Sequence, residues 1–490
     1  MPLKPMPIVA RLRLFVMIGV PLIGVALLFV APEGLPPEAW KVAVIGTLMA
    51  IWWASEIVPL AVTALLPLVA FPLLGVASFE ETAASYAHPL IFLFLGGFML
   101  SRGMQRWGLH RRIALNVIRI GGSRPSGIVA SLMAATAFLS LWISNTATAM
   151  VMLPIGQSVV GSSEDTLAAV PDAERTGFGA ALMLGIGYAA TIGGMGSLIG
   201  TPPNALFAAY MKDTHGIEIG FAQWMLVGLP VVLILLPVTW YLLTRLVFSL
   251  PQTDLGRHMQ GGAHHDAAGL GPISQGEKRV AILMAAVAIL WIVRPLISRA
   301  FPGIEISDPG IAVIGAVLLF VIPAGRGSRE FLLRWDDAAR IRWDILILFG
   351  GGLALAAAIG TSGLAAWIGE ASAAWQTMPL LLLIALVTII VVYLGELASN
   401  TAMAAVFLPV AGAVAVGMGL SPLTLALPIA LAASLGFMLP VATPPNAIVF
   451  GSGAVTVQQM LRAGAVLDIV GIIVVLLIGT LIGPLVVPTP

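Results

Sequence analysis

The chain has 490 residues, of which 59% are hydrophobic and only 10% charged, and its mean hydropathy is +1.02. A soluble globular protein carries about 25% charged residues, so this composition belongs to a polytopic membrane protein. A net charge of +1 gives no electrostatic basis for binding nucleic acid, and the absence of cysteine excludes disulfides, thiolate metal sites and thiol nucleophiles.

A bilayer-spanning helix needs roughly 20 apolar residues. In chain order, the candidate spans are 14–30, 40–53, 57–74, 88–104, 180–210, 224–248, 280–297, 310–322, 345–360, 423–451 and 464–486, eleven in all. The first follows Lys4, Arg11 and Arg13 as a signal peptide would. Its apolar run is long, however, and no small-x-small cleavage site follows, so it reads as a retained span. Two more apolar stretches, 128–160 and 380–411, each carry Ser-Asn-Thr at mid-segment. They read as re-entrant hairpins that enter and leave on one side.

The positive-inside bias orients these segments. With the N-terminus inside, 20 of the 24 Lys and Arg fall in inner segments; only Lys41, Lys212, Arg294 and Arg299 fall outside. The polar stretch 251–276 holds His264 and His265. A His pair can bind metal, but a solvated inner loop between two halves is the plainer reading. Segment 331–343 mixes Arg, Asp and apolar residues and is expected to lie along the inner interface.

Several motifs occur twice, in the same order. Leu95-Gly96-Gly97 pairs with Phe349-Gly350-Gly351, and Ser144-Asn145-Thr146-Ala147 with Ser399-Asn400-Thr401-Ala402. Thr201-Pro202-Pro203-Asn204-Ala205 pairs with Thr443-Pro444-Pro445-Asn446-Ala447, and Gln223-Trp224-Met225-Leu226 more faintly with Gln458-Gln459-Met460-Leu461. This indicates an ancient duplication. In the expected topology the second copy runs opposite to the first, the inverted repeat of many secondary transporters. The expected division is scaffold spans in 1–87, a first repeat in 88–250, a cytoplasmic loop in 251–278, scaffold spans with an interfacial helix in 279–342, and a second repeat in 343–490. The inward hairpin covers about 126–160 and its broken span about 180–210; the outward hairpin covers about 379–412 and its broken span about 423–452.

Non-helical backbone at membrane depth survives only where it lines protein or a water-filled cavity. Pro-Pro inside a span removes donors and clashes with the preceding turn. Each Thr-Pro-Pro-Asn is therefore expected to split a span into half-helices, exposing carbonyls that suit a cation and N–H groups that suit an anion. The Ser, Asn and Thr oxygens of the hairpin tips complete a neutral, oxygen-rich cage, which fits Na⁺ better than a transition metal. A single Ser-Asn-Thr is more often an interhelical hydrogen-bond patch, and a single Thr-Pro-Pro a kink. Recurrence of both at matched positions favours a site. Intramembrane charges are few: Glu396, Asp468 and Glu56 are functional candidates by default, and for Asp468 and Glu56, expected near the inner interface, a structural role has at least equal standing. No serine–histidine pairing, HExxH or phosphate-loop motif suggests an enzyme.

Ile143 through Ala149, Gly200 through Ala205, Ala398 through Ala402 and Ala442 through Gly453 together resemble the divalent anion:sodium symporter family of di- and tricarboxylate carriers. The resemblance runs along essentially the whole chain. It implies an all-α membrane protein of eleven transmembrane helices and two opposed re-entrant hairpins, a homodimer in the bilayer, and an elevator-type motion. It implies a first Na⁺ site at Ser140, Ser144, Asn145 and Gly200, and a second at Gly395, Ala398, Asn400 and Ala442. Substrate carboxylates would meet Asn145, Thr146, Thr201, Asn400, Thr401 and Thr443. Relatives that couple to sodium often carry Thr where this chain has Gly395, which keeps sodium-independent exchange open. The resulting expectation is Na⁺-coupled transport of a C4-dicarboxylate such as succinate, malate or fumarate across a bacterial-type inner membrane, with the N-terminus cytoplasmic and the C-terminus outside. Citrate, sulfate or another oxyanion, and a passive anion channel, stand as alternatives.

Overall fold

Backbone groups in hydrocarbon must pair within their own segment, and this chain meets that demand with helices. The computed structural model describes residues 12–162, 170–252, 271–303, 305–325, 329–372 and 375–482. Among the described residues the only β pairing is an isolated bridge between Pro323 and Phe331. His264 and His265 lie outside the described residues.

The first half contains α1 (Leu12–Leu27), α2 (Pro37–Ser55), α3 (Leu60–Leu73), α4 (Pro89–Arg106), α5 (Leu109–Ile118), α6 (Pro125–Ser140), α7 (Asn145–Ser162), α8 (Asp172–Met195), α9 (Pro202–His215) and α10 (Phe221–Tyr241). After it come α11 (Gln275–Ala300), α12 (Asp308–Val321), α13 (Trp343–Thr361), α14 (Leu364–Ser372), α15 (Leu380–Gly395), α16 (Asn400–Gly417), α17 (Leu423–Ala432), α18 (Pro444–Gly451) and α19 (Val457–Leu481). Segment 331–343, expected to be an interfacial helix, forms only a short turn of helix at Trp335–Ala338.

Every apolar stretch read from the sequence is helical, but several are shorter or divided. Among the described residues, seven helices are long and apolar enough to cross a membrane, and six shorter apolar helices accompany them. The stretch 57–74 ends its first turn at Thr63 and restarts at Leu66, just before Pro67, because proline supplies no donor to the preceding turn. The two longest expected spans are interrupted where Pro-Pro stands. Met195 ends α8 and Pro202 begins α9, while Ala432 ends α17 and Pro444 begins α18.

Burial is graded across the fold. Over an apolar stretch of 18 residues α8 is 94% buried, whereas α11 is 22% buried. Ile282, Ile289 and Leu296 on α11 and Leu381, Leu382 and Leu386 on α15 are exposed, giving the outside an apolar surface fit for lipid. The repeated Gly-Gly motifs are packing devices. A Cβ on Gly96 would lie 2.6 Å from the Ala312 backbone, so α4 can pack closely on α12; Gly351 meets the Ala64 backbone in the same way.

Polar ties hold the ends of these helices. Ser274 and Glu277 form a capping box at the start of α11, and Glu277 also pairs with Arg112 of α5. At the start of α12, Asp308 accepts from the Phe221 N–H at 2.8 Å and pairs with Arg294 at 2.8 Å.

The packing interlocks the two halves. The helix before each Ser-Asn-Thr tip packs on the helix before the following Pro-Pro break, α6 on α8 and α15 on α17. The helix after each tip packs on that same helix and also on the helix after the other break, α7 on α18 and α16 on α9. This exchange brings both tips and both breaks to one place.

Candidate functional site

A cavity of about 500 Å³ is lined by both tips, at Ser144, Asn145, Thr146, Ser399, Asn400 and Thr401, and by both breaks, at Gly200, Thr201, Ala442 and Thr443. All six residues expected to meet substrate carboxylates therefore face one cavity. Glu56, Leu60, Ile345 and Leu348 close it from α2, α3 and α13. Glu56, in left-handed backbone (φ 49°) at the end of α2, is thus part of the wall.

Each break is shaped alike. Thr201 has φ −141° and ψ 143°, and Thr443 has φ −140° and ψ 149°. An extended threonine followed by two prolines starts a helix, because proline at the first helical positions gives up only N–H groups with no intrahelical partner. Asn204 then reaches back: its Nδ2 donates to the Gly194 carbonyl at 3.2 Å and to the Ser197 carbonyl at 2.8 Å. Asn446 makes the matching pair of bonds, to Gly436 at 3.1 Å and Leu439 at 3.0 Å. The Ser197 and Leu439 carbonyls also accept from the Gly200 and Ala442 N–H groups, so each asparagine adds a donor that ties its half-helix to the break. The motif carries both asparagines without marking this role; their position three residues after a helix-starting threonine is the signal for it.

The first tip is tied to its break by oxygens. One end of the Asn145 amide lies 2.9 Å from the Ser140 hydroxyl, 3.1 Å from the Gly200 carbonyl and 3.2 Å from the Ala190 carbonyl. With its nitrogen turned inward, the amide donates to these oxygens. With its oxygen turned inward, it completes a cluster of neutral oxygens around one point, a donor set that suits Na⁺. Gly194 leaves the space for this contact, since a Cβ there would collide with the Asn145 amide. Ser140, Asn145 and Gly200 thus converge, together with the unanticipated Ala190 carbonyl. Ser144 lines the cavity instead, its hydroxyl accepting from the Ala147 N–H at 3.4 Å.

At the second tip, Asn400 Oδ1 is buried and has no hydrogen-bond partner among the described residues. An orphaned, enclosed amide oxygen is costly in itself and fits a cation ligand. Ala442 lines the cavity, while Ala398 and Gly395 are buried behind the tip. Gly395 has room around it: an added Cβ would find nothing closer than the Leu435 carbonyl at 3.8 Å.

Glu396 does not enter the cavity. Its carboxylate accepts from the Met438 N–H at 2.9 Å and the Leu439 N–H at 2.8 Å, pinning the second tip to the second break. The first half links the corresponding places with other chemistry: the Ser197 hydroxyl donates to the Leu141 carbonyl at 2.5 Å. Asp468, expected near the inner interface, is fully buried beside Glu396.

The class defined by this fold and cavity is that of polytopic helical membrane transporters, whose sites lie where spans are broken. The chain belongs to the family described as sodium:sulfate symporter transmembrane region, which it matches over residues 10–488. It is 39% identical to the sodium-dependent dicarboxylate transporter SdcS of Staphylococcus aureus strain bovine RF122, covering 99% of this chain and 93% of that one. Identity to the protein of the same name from strain USA300 is 38% with the same coverage. Among solved structures, it resembles the Alcanivorax borkumensis YdaH transporter at 16% identity with a TM-score of 0.46, covering 83% of this chain and 88% of that one. The family and these relatives are transporters, not enzymes.

Proposed function

We propose that the chain is a Na⁺-coupled carrier of C4-dicarboxylates in a bacterial plasma membrane, with its N-terminus cytoplasmic. The observation that carries this reading is the single polar cavity lined by both tips and both breaks. Relatives named sodium-dependent dicarboxylate transporters, at 38–39% identity over 99% of the chain, supply the ion and the substrate class.

In this reading, Na⁺ binds the first tip through Ser140, Ser144, Asn145 and Gly200. A second Na⁺ binds through the oxygens of Gly395, Ala398, Asn400 and Ala442. Each ion fastens a tip to its break and adds positive charge beside the cavity. The dianion then meets the amides of Asn145 and Asn400 and the hydroxyls of Thr146, Thr201, Thr401 and Thr443. The hairpins α6–α7 and α15–α16 are re-entrant within an inverted repeat of eleven spans. They move with the broken spans as one body against the scaffold of a homodimer. In that motion the tips and breaks pass Leu60 of α3 and Ile345 and Leu348 of α13, which line the same cavity.

Succinate uptake into proteoliposomes tests the reading. Uptake driven by a Na⁺ gradient is expected, with a loss of about ten-fold or more in Asn145→Ala and in Asn400→Ala. Uptake unchanged when choline replaces Na⁺ would overturn the coupling. Gly395 favours a second reading, sodium-independent exchange, which counterflow requiring internal dicarboxylate but no ion gradient would identify.

A further inference from the structure

A smaller cavity of about 180 Å³ adjoins the main one and shares Ser144, Thr146 and Arg342 with it. Its walls bring Arg102 of α4 and Arg340 and Arg342 of the segment before α13 beside the first tip, and they contain no carboxylate. The three arginines differ in how far they are neutralised. Arg342 pairs with Asp344 at 2.7 Å. Arg102 donates to the Gln105 amide oxygen at 2.8 Å and toward the Asp337 carbonyl at 3.5 Å, both uncharged acceptors. The Asp337 carboxylate is itself engaged by Arg106. Among the described residues, no carboxylate forms an ion pair with Arg340.

A cavity wall with guanidinium groups left uncompensated attracts anions. The groups expected to meet the substrate in the main cavity are neutral amides and hydroxyls. We propose that Arg102 and Arg340, with Arg342, form an anion subsite beside the first tip that draws in the dicarboxylate and supplies the positive potential holding it there. The inference deepens the proposed function and rests on it. Guanidinium suits the task as a fixed positive charge.

Equilibrium binding of labelled succinate in saturating Na⁺, at several concentrations of a choline salt, tests the subsite. At low ionic strength, the double variant Arg102→Gln/Arg340→Gln is expected to bind about ten-fold more weakly than wild type. The gap should close as salt rises, because exposed charges are screened within about 10 Å at 0.1 M. Arg340→Lys, which keeps the charge, should stay close to wild type at every salt concentration. Equal affinity of the double variant and wild type at low salt overturns the subsite. So does a loss that is independent of salt, which would mark a structural role. Absence of Na⁺-dependent succinate binding by wild type would instead count against the proposed function itself, so the two failures are distinguishable.

Discussion

Ser140 and Gly395 occupy equivalent places, each four residues before the serine of a Ser-Asn-Thr tip. The first supplies a hydroxyl 2.9 Å from the Asn145 amide; the second supplies only backbone. Open space around Gly395 means that a side-chain Cβ can be added without displacing a neighbour. Gly395→Ser is therefore expected to raise apparent Na⁺ affinity about three- to ten-fold, measured as the Na⁺ concentration for half-maximal uptake. An unchanged or weaker Na⁺ dependence would remove this residue from the ion site. Glu396 gives a second expectation. Glu396→Ala leaves two loop N–H groups unpaired in a buried place and should destabilise by about 2–3 kcal/mol. Thermal denaturation in detergent would register this as a lowered midpoint, and an unaltered midpoint would contradict it. The tip and break residues were legible because each stands out as polar against apolar sequence and occurs twice. The arginines of the cavity mouth were not, because nothing in the local pattern of 331–343 reveals that it folds against Ser144 and Thr146.

At the scale of elements, the breaks depend on an asparagine in the first turn of each trailing half-helix. Asn204→Ala and Asn446→Ala each remove donors from two or more buried carbonyls. Each change should cost about 1–3 kcal/mol. Each should also reduce uptake, since the break would lose its fixed shape. A variant with unaltered stability and uptake would show that Pro-Pro alone sets the break. Asp308→Ala should unpair Arg294 from its buried partner and cost about 3 kcal/mol, read as a lower denaturation midpoint. The places where helices end were readable from proline, which acts on its own turn. The exchange of partners, α7 with α18 and α16 with α9, was not, because choice of packing partner depends on surfaces far apart in sequence.

At the scale of the molecule, both tips and both breaks line one cavity, and α7 packs on α18 as α16 packs on α9. The exchange of half-helices means that tightening either tip bears on the break of the other half. Ion and substrate binding should therefore be coupled, and thermodynamic coupling is reciprocal. The most direct test is the thermal denaturation of purified protein with succinate, in Na⁺ and in choline, for wild type, Asn145→Ala and Asn400→Ala. A ligand at 100 times its dissociation constant stabilises by about 2.7 kcal/mol. Succinate is expected to raise the wild-type midpoint in Na⁺ but not in choline, and either asparagine variant to abolish the rise. Equal stabilisation in Na⁺ and choline, or a rise that survives in either variant, would contradict it.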